Sequence, residues 1–205
     1  MSTIEAESEL SVIKKIMEDS RRLNIDNGKH YLMWGILVTF ALICNYIMLL
    51  TKTGGQYIGI MWFVLMISGA IIDSIMKKRE VRTLKANTYA GNIVGSLWLA
   101  SGIAMFIYGF VGLITKSYNP VFICPIISTS LGISYYTSGA IQRLKWLQNV
   151  SYGWWAGAIF LFVFPSIHSV LVFALMLVAF QIVPGIILNI NSKKFLESEA
   201  HTLNV

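Results

Sequence analysis

With 56% apolar and 13% charged residues over 205 positions and a mean hydropathy of +0.66, the chain has too little polar material to coat a water-soluble globule. That excludes a soluble enzyme domain and leaves lipid as the solvent. The net charge of +6 does not mark a nucleic-acid binder, because 14 of the 16 Lys and Arg fall in the N-terminal segment, the stretches 77–85 and 143–145, and the tail at Lys193 and Lys194. Only Lys52 and Lys116 lie on the other side, an asymmetry that places both termini in the cytoplasm.

The first 28 residues carry no short apolar core of the kind a cleavable signal needs. Residues 2–23 instead show Ser2 and Glu5 at capping-box spacing and Leu10, Ile13 and Met17 at helical spacing, predicting an amphipathic helix. Lys14, Lys15, Arg21 and Arg22 would let it lie on headgroups, on its own bundle or on a partner protein, and Asn27-Gly28 ends it.

The first span runs from about His30 to Leu50, with Tyr31 and Trp34 expected as interfacial aromatics and Asn45 expected to hydrogen-bond a neighbouring helix. Gly54-Gly55 makes the first outside turn. The second span, Tyr57 to Met76, ends at Lys77-Lys78-Arg79, with Asp73 about one helical turn inside. The third and fourth, Gly91 to Thr115 and Val121 to Gly139, contain no Asp, Glu, Lys or Arg and flank a turn at Lys116 to Pro120. Gly91, Gly95, Gly102, Gly109 and Gly112 share one stripe of the third span, and close helix packing is expected there. The fifth span opens with Gly153 and Gly157, and the sixth is interrupted by Pro184.

The expected fold is all-α: residues 1–28 a cytoplasmic amphipathic helix, 29–191 a domain of six transmembrane helices, and 192–205 a cytoplasmic tail. The spans pair into three related hairpins. Each opens with tryptophan near glycine (Trp34-Gly35, Trp98 with Gly102, Trp154-Trp155 with Gly157) and closes on Gly69-Ala70-Ile71-Ile72, Gly139-Ala140-Ile141 or Gly185-Ile186-Ile187. With the outside prolines Pro120 and Pro165, this pattern over residues 30–190 resembles the small six-helix bacterial membrane proteins of the HdeD-like kind. The resemblance implies a bacterial inner membrane and an association with acid stress, and carries no functional residues across. The long N-terminal segment and the first outside turn without proline depart from that pattern.

No P-loop, GxGxxG or zinc spacing is present, and Cys44 and Cys124 sit singly in apolar runs. His30, His168 and His201 fall at a cytoplasmic boundary, an outside turn and the tail, so a metal or haem pair is not expected. Nor is a serine nucleophile, for want of a histidine at mid-membrane. Neither enzyme activity nor a cofactor is expected.

If the bundle holds a solute or proton site, depth places it in the cytoplasmic third, around Asp73, Ser138, Gln181 and Pro184. Counting back from Lys77 and Arg143 sets Asp73 and Ser138 roughly 6 to 8 Å inside. In the simpler account, Asp73 pairs with Lys77 one turn away and Pro184 only kinks its helix. Two functions stay open: a scaffold, accessory or stress-related regulatory subunit, and a passive channel or secondary transporter for a small solute or ion. Scarce intramembrane charge favours the first. The partners expected are the lipid bilayer and a second copy of the chain or another membrane protein, not nucleic acid.

Overall fold

The computed structural model describes residues 28–84 and 89–203, so the expected N-terminal amphipathic helix, apart from Gly28, lies outside the described residues. The described residues are helices joined by short turns, with no strand among them. Helix α1 spans Lys29–Thr51, α2 Ile58–Leu84, α3 Tyr89–Phe106, α4 Ile123–Ile141, α5 Lys145–Val163, α6 Ser169–Leu177 and α7 Val183–Leu203. Helix α3 continues into a π-helical segment, Ile107–Gly112, and a second one, Val178–Ile182, joins α6 to α7 as one continuous rod. That rod runs through to Leu203, so residues 192–203, expected as a tail, extend the last helix.

Five stretches are long and apolar enough to cross a membrane: Lys29–Thr51, Gly55–Arg79, Gly91–Gly112, Pro120–Ile141 and Ser169–Lys194. Their outward faces are dry. On α2, Ile60, Val64, Ile67, Ile71 and Ile75 recur at helical spacing and are all exposed, as are Leu99, Ile103, Ile107 and Val111 along α3. Water would penalise such stripes, and hydrocarbon does not. Helix α5 is the remaining long helix. Its first turns carry Lys145, Gln148 and Asn149, which lower its hydropathy.

Turn chemistry accounts for Lys52 and Lys116, the two cations expected on the outer side. Lys52 and Lys116 both adopt the left-handed conformation, φ 53° and 55°, directly after α1 and after the π segment of α3. Around Lys116 the chain closes with Lys116 N–H donating to Leu113 O and Ser117 N–H to Gly112 O. A cation placed there also faces the negative end of the helix dipole. On the next connection, Asn119 accepts from Val121 N–H at 3.1 Å and Pro120 opens the turn into α4, a combination that starts a helix.

The helices pair as antiparallel neighbours with regular registers. Along α1 and α2, His30 faces Asp73 and Trp34 faces Gly69, a step of four matched by a step of four. Along α3 and α4, Trp98 donates to Ser138 at 3.1 Å and Ser134 to Ser101 at 2.7 Å. Gly153 and Gly157 of α5 lie under Phe180 and Met176 of the α6–α7 rod. Two further pairings close the bundle. Helix α4 lies against α5 so tightly that a Cβ at Gly139 would come within 2.7 Å of Gln148 Cα. Helix α1 runs against the α6–α7 rod, with Gly35 under Ile182 and the Tyr31 and Leu32 pair under Gly185.

This makes α1 the central helix and corrects one sequence expectation. Tyr31, expected at headgroup level, is buried, its ring 5.4 Å from Trp98 and 5.5 Å from Tyr135. Neighbouring helices, rather than headgroups, surround the Tyr31 ring. Tyr135 in turn meets Trp154, and Trp154 meets Phe173 and Phe180, so rings from α1, α3, α4, α5 and the α6–α7 rod fill the centre. Buried serines on α4 bond across helices, as Ser128 does to Trp154 O at 2.8 Å.

The glycine stripe of the third span does not behave as one contact surface. Gly91 is exposed, and among the described residues no atom would meet a Cβ at Gly102 within 4 Å. Among the described residues Gly95 meets only Lys77 Nζ, Gly109 meets Ile123 at 3.7 Å, and Gly112 lies under Tyr118 of the turn that follows it. The tight glycine contacts between helices lie elsewhere, at Gly28, Gly35, Gly69, Gly132, Gly139, Gly153, Gly157 and Gly185. Packing of the ring Cε1, Cζ and Oη atoms at Gly112 also buries Tyr118, and that burial pushes its phenol above the ordinary range.

Candidate functional site

The polar centre of the described bundle is Asp73. Its Oδ1 lies 2.6 Å from His30 Nδ1 and accepts from Trp34 Nε1 at 3.2 Å. An ionised carboxylate has no proton to give, so Nδ1–H is the donor, and both N–H groups converge on one oxygen. Three local features build this arrangement. Gly28, in the left-handed conformation at φ 62°, starts α1 one residue before Lys29 and so places His30 in the first turn. Trp34 follows one turn later on the same face. Gly69 clears the space for its indole, since a Cβ there would come within 2.8 Å of Trp34 Cζ3.

Asp73 therefore takes its partners from α1, and its short side-chain contact is with His30 rather than with Lys77. His30 was legible only as a boundary histidine. Antiparallel depth counting along the first hairpin would have found it, because His30 and Asp73 lie on rungs one turn from the Trp34 and Gly69 pair. Both side chains are about one-third exposed, at 28% and 33%, so this is an interfacial pair at the mouth of a span and not a sealed one.

The other residues expected to gather with Asp73 do not join it. Ser138 accepts from Trp98 within the second hairpin. Gln181, in the π segment, packs its Cγ under Gly35, on a different face of α1 from His30 and Trp34. Pro184 is buried beside it, next to Gly185. The interruption at Pro184 takes a specific form: Val183 N–H, which an α-helix would give to Ala179, goes to Val178 O. Pro184 has no N–H to give to Phe180. Two consecutive carbonyls thus lose their α-helical donors, and the π segment is how the rod absorbs the proline.

Gln181 is 5% exposed, and its Oε1 has no hydrogen-bond partner among the described residues. Asn45, expected to bond a neighbouring helix, likewise leaves Oδ1 unpartnered there. A buried acceptor without a donor costs about 1 to 3 kcal/mol relative to an apolar group of the same shape. Gln181→Leu is accordingly expected to leave the melting temperature in detergent unchanged or raise it. A marked drop would mean that the amide makes a stabilising bond.

At the opposite end of α1, Tyr46 Oη lies 2.8 Å from His168 Nδ1, tying the end of the first span to the turn before α6. This contact is exposed and structural in geometry. Among the described residues, no three His, Cys, Asp or Glu side chains gather closely enough to hold a metal. Comparison of the chain with family models, with curated proteins and with solved structures found no match.

Proposed function

We propose that the chain is a non-enzymatic integral protein of a bacterial inner membrane. Its six spans form three duplicated hairpins with both ends in the cytoplasm, and it acts as a scaffold, accessory or stress-related regulatory subunit. One observation carries this reading: the centre of the bundle is occupied by the mutually packed rings of Tyr31, Trp98, Tyr135 and Trp154. A conduit for solute would have to run where these rings stand. Interhelical bonds and close glycine contacts spend the polar and small residues on holding helices together. Six spans follow if α5, at 19 residues, crosses between Ile141 and Ser169, as its place between α4 and α6 supports.

A second reading, a secondary transporter, draws on the buried Gln181 amide in a π segment, since broken helices with released carbonyls serve ion sites in some membrane proteins. Proteoliposome flux separates the two. Purified chain is expected to move protons and potassium no faster than protein-free vesicles. Wild-type flux above that level, lost in Asp73→Asn or Gln181→Leu, would replace the scaffold reading by the transporter.

A further inference from the structure

We propose that the centre of the bundle binds one water molecule, which accepts from the Trp154 indole N–H of α5 and donates to Oε1 of Gln181 in the π segment. Both side chains are sealed from the surroundings: Trp154 is fully buried and Gln181 is 5% exposed. Neither Trp154 Nε1 nor Gln181 Oε1 has a hydrogen-bond partner among the described residues. The indole nitrogen can only donate and the amide oxygen can only accept, so the two are complementary. They also stand at one height. Gly153 lies under the Phe180 ring, which sets Trp154 level with the π turn that carries Gln181. The Trp154 and Phe180 ring centres are 5.8 Å apart, and Gln181 follows Phe180 in the chain.

Chemistry selects the occupant. Buried polar groups in folded proteins are partnered by protein or by ordered water, and here the described protein supplies no partner to either group. The occupant must accept from nitrogen and donate to oxygen at once. A hydroxylic molecule does both, whereas a metal cation is repelled by the indole N–H. It must also be neutral, because Gly35, Tyr135, Phe173, Phe180 and Ile182, which pack on the two side chains, bring no charge to the site. It must be small as well, since the rings of Tyr135, Phe173 and Phe180 all pack on the indole. Water meets all three conditions. A buried water makes about three hydrogen bonds, and the carbonyls released at Ala179 and Phe180 lie on the π turn itself as acceptors for its second proton. Such a water ties α5 to the α6–α7 rod where proline interrupts the rod, in a closed site and not along a conduit.

The test is magic-angle-spinning NMR of the full chain in lipid bilayers with the indole nitrogens labelled, reading polarisation transferred from water protons to each indole N–H. Trp154→Phe identifies the Trp154 signal by its disappearance. The wild type is expected to show transfer at Trp154 despite its full burial, and none at Trp98, whose indole donates to Ser138. In Gln181→Leu, which removes the acceptor, transfer at Trp154 should be lost. Trp34, in the part-exposed cluster with Asp73, should keep its own transfer in the same variant. Gln181→Met, an apolar side chain of similar length, repeats the measurement in case leucine disturbs the packing, and an unchanged melting temperature in detergent separates lost water from lost fold. A dry Trp154 indole in the wild type would overturn the site, because the N–H would then rest on the neighbouring rings or bond the amide directly. Transfer that persists at Trp154 in folded Gln181→Leu and Gln181→Met would overturn it too, since the water would not be held by the pair.

Discussion

Gly139→Ala is expected to lower the melting temperature in detergent by several degrees, whereas Gly102→Leu, a far larger change, leaves it nearly unchanged. At Gly139 a Cβ meets the backbone of α5, at Gln148 N and Gln148 Cα, and backbone cannot rotate out of the way. The two most intimately packed helices must part, an overpacking cost of about 1 to 3 kcal/mol. For a chain of this size each kcal/mol shifts the midpoint by roughly 2 to 4 °C. Gly102 meets no described atom within 4 Å, so a leucine there extends into lipid. Thermal unfolding of both variants checks the contrast. Equal losses would return the glycine stripe of α3 to the role that its spacing predicts.

Removing the Asp73 carboxylate is the second large effect. Asp73→Leu strips the acceptor from His30 Nδ1 and Trp34 Nε1 together. Hydrogen bonds to charged groups contribute about 1.5 to 3 kcal/mol each when desolvated, and partial exposure of the pair lowers that, so a loss of about 2 kcal/mol in all is expected. A double-mutant cycle on Asp73→Asn and His30→Gln isolates the pair, with a coupling of about 1 kcal/mol expected. Lys77→Gln serves as the comparison and is expected to cost a few tenths of a kcal/mol, the scale of an i,i+4 helix pair. Coupling of Asp73 to Lys77 in place of His30 would overturn the interhelical site.

What the sequence made legible follows the strength of each physical signal. Charge-free apolar runs of span length can be read directly because lipid forbids almost any other backbone solution, and the all-helical fold followed from them. Turn residues were equally plain: Gly28, Gly54, Asn119 and Pro120 sit where helices start or stop. Side-chain partners were not. Helical spacing places Gly102 on a stripe but does not say which neighbour, if any, faces it. Depth counting brought Asp73 and Ser138 to similar heights, with Pro184 somewhat deeper and Gln181 towards mid-membrane, yet height leaves the angle around the bundle undetermined. Trp98 claimed Ser138, Gly35 received Gln181, and the register of the first hairpin gave Asp73 to His30. Tyr31 illustrates the same limit, since an aromatic in the first turn of a span serves equally as an interfacial anchor or, on a central helix, as core.

The six-span account turns on α5, and cysteine labelling of intact cells tests it most directly. In a background lacking Cys44 and Cys124, single cysteines replace Gly54, Ser117, Lys145 and Ser166, and an impermeant thiol reagent is applied from outside. Positions 54, 117 and 166 are expected to label and position 145 to stay protected until the cells are opened. Matching reactivity at 145 and 166 would put both ends of α5 on one side of the membrane and contradict the six-span account.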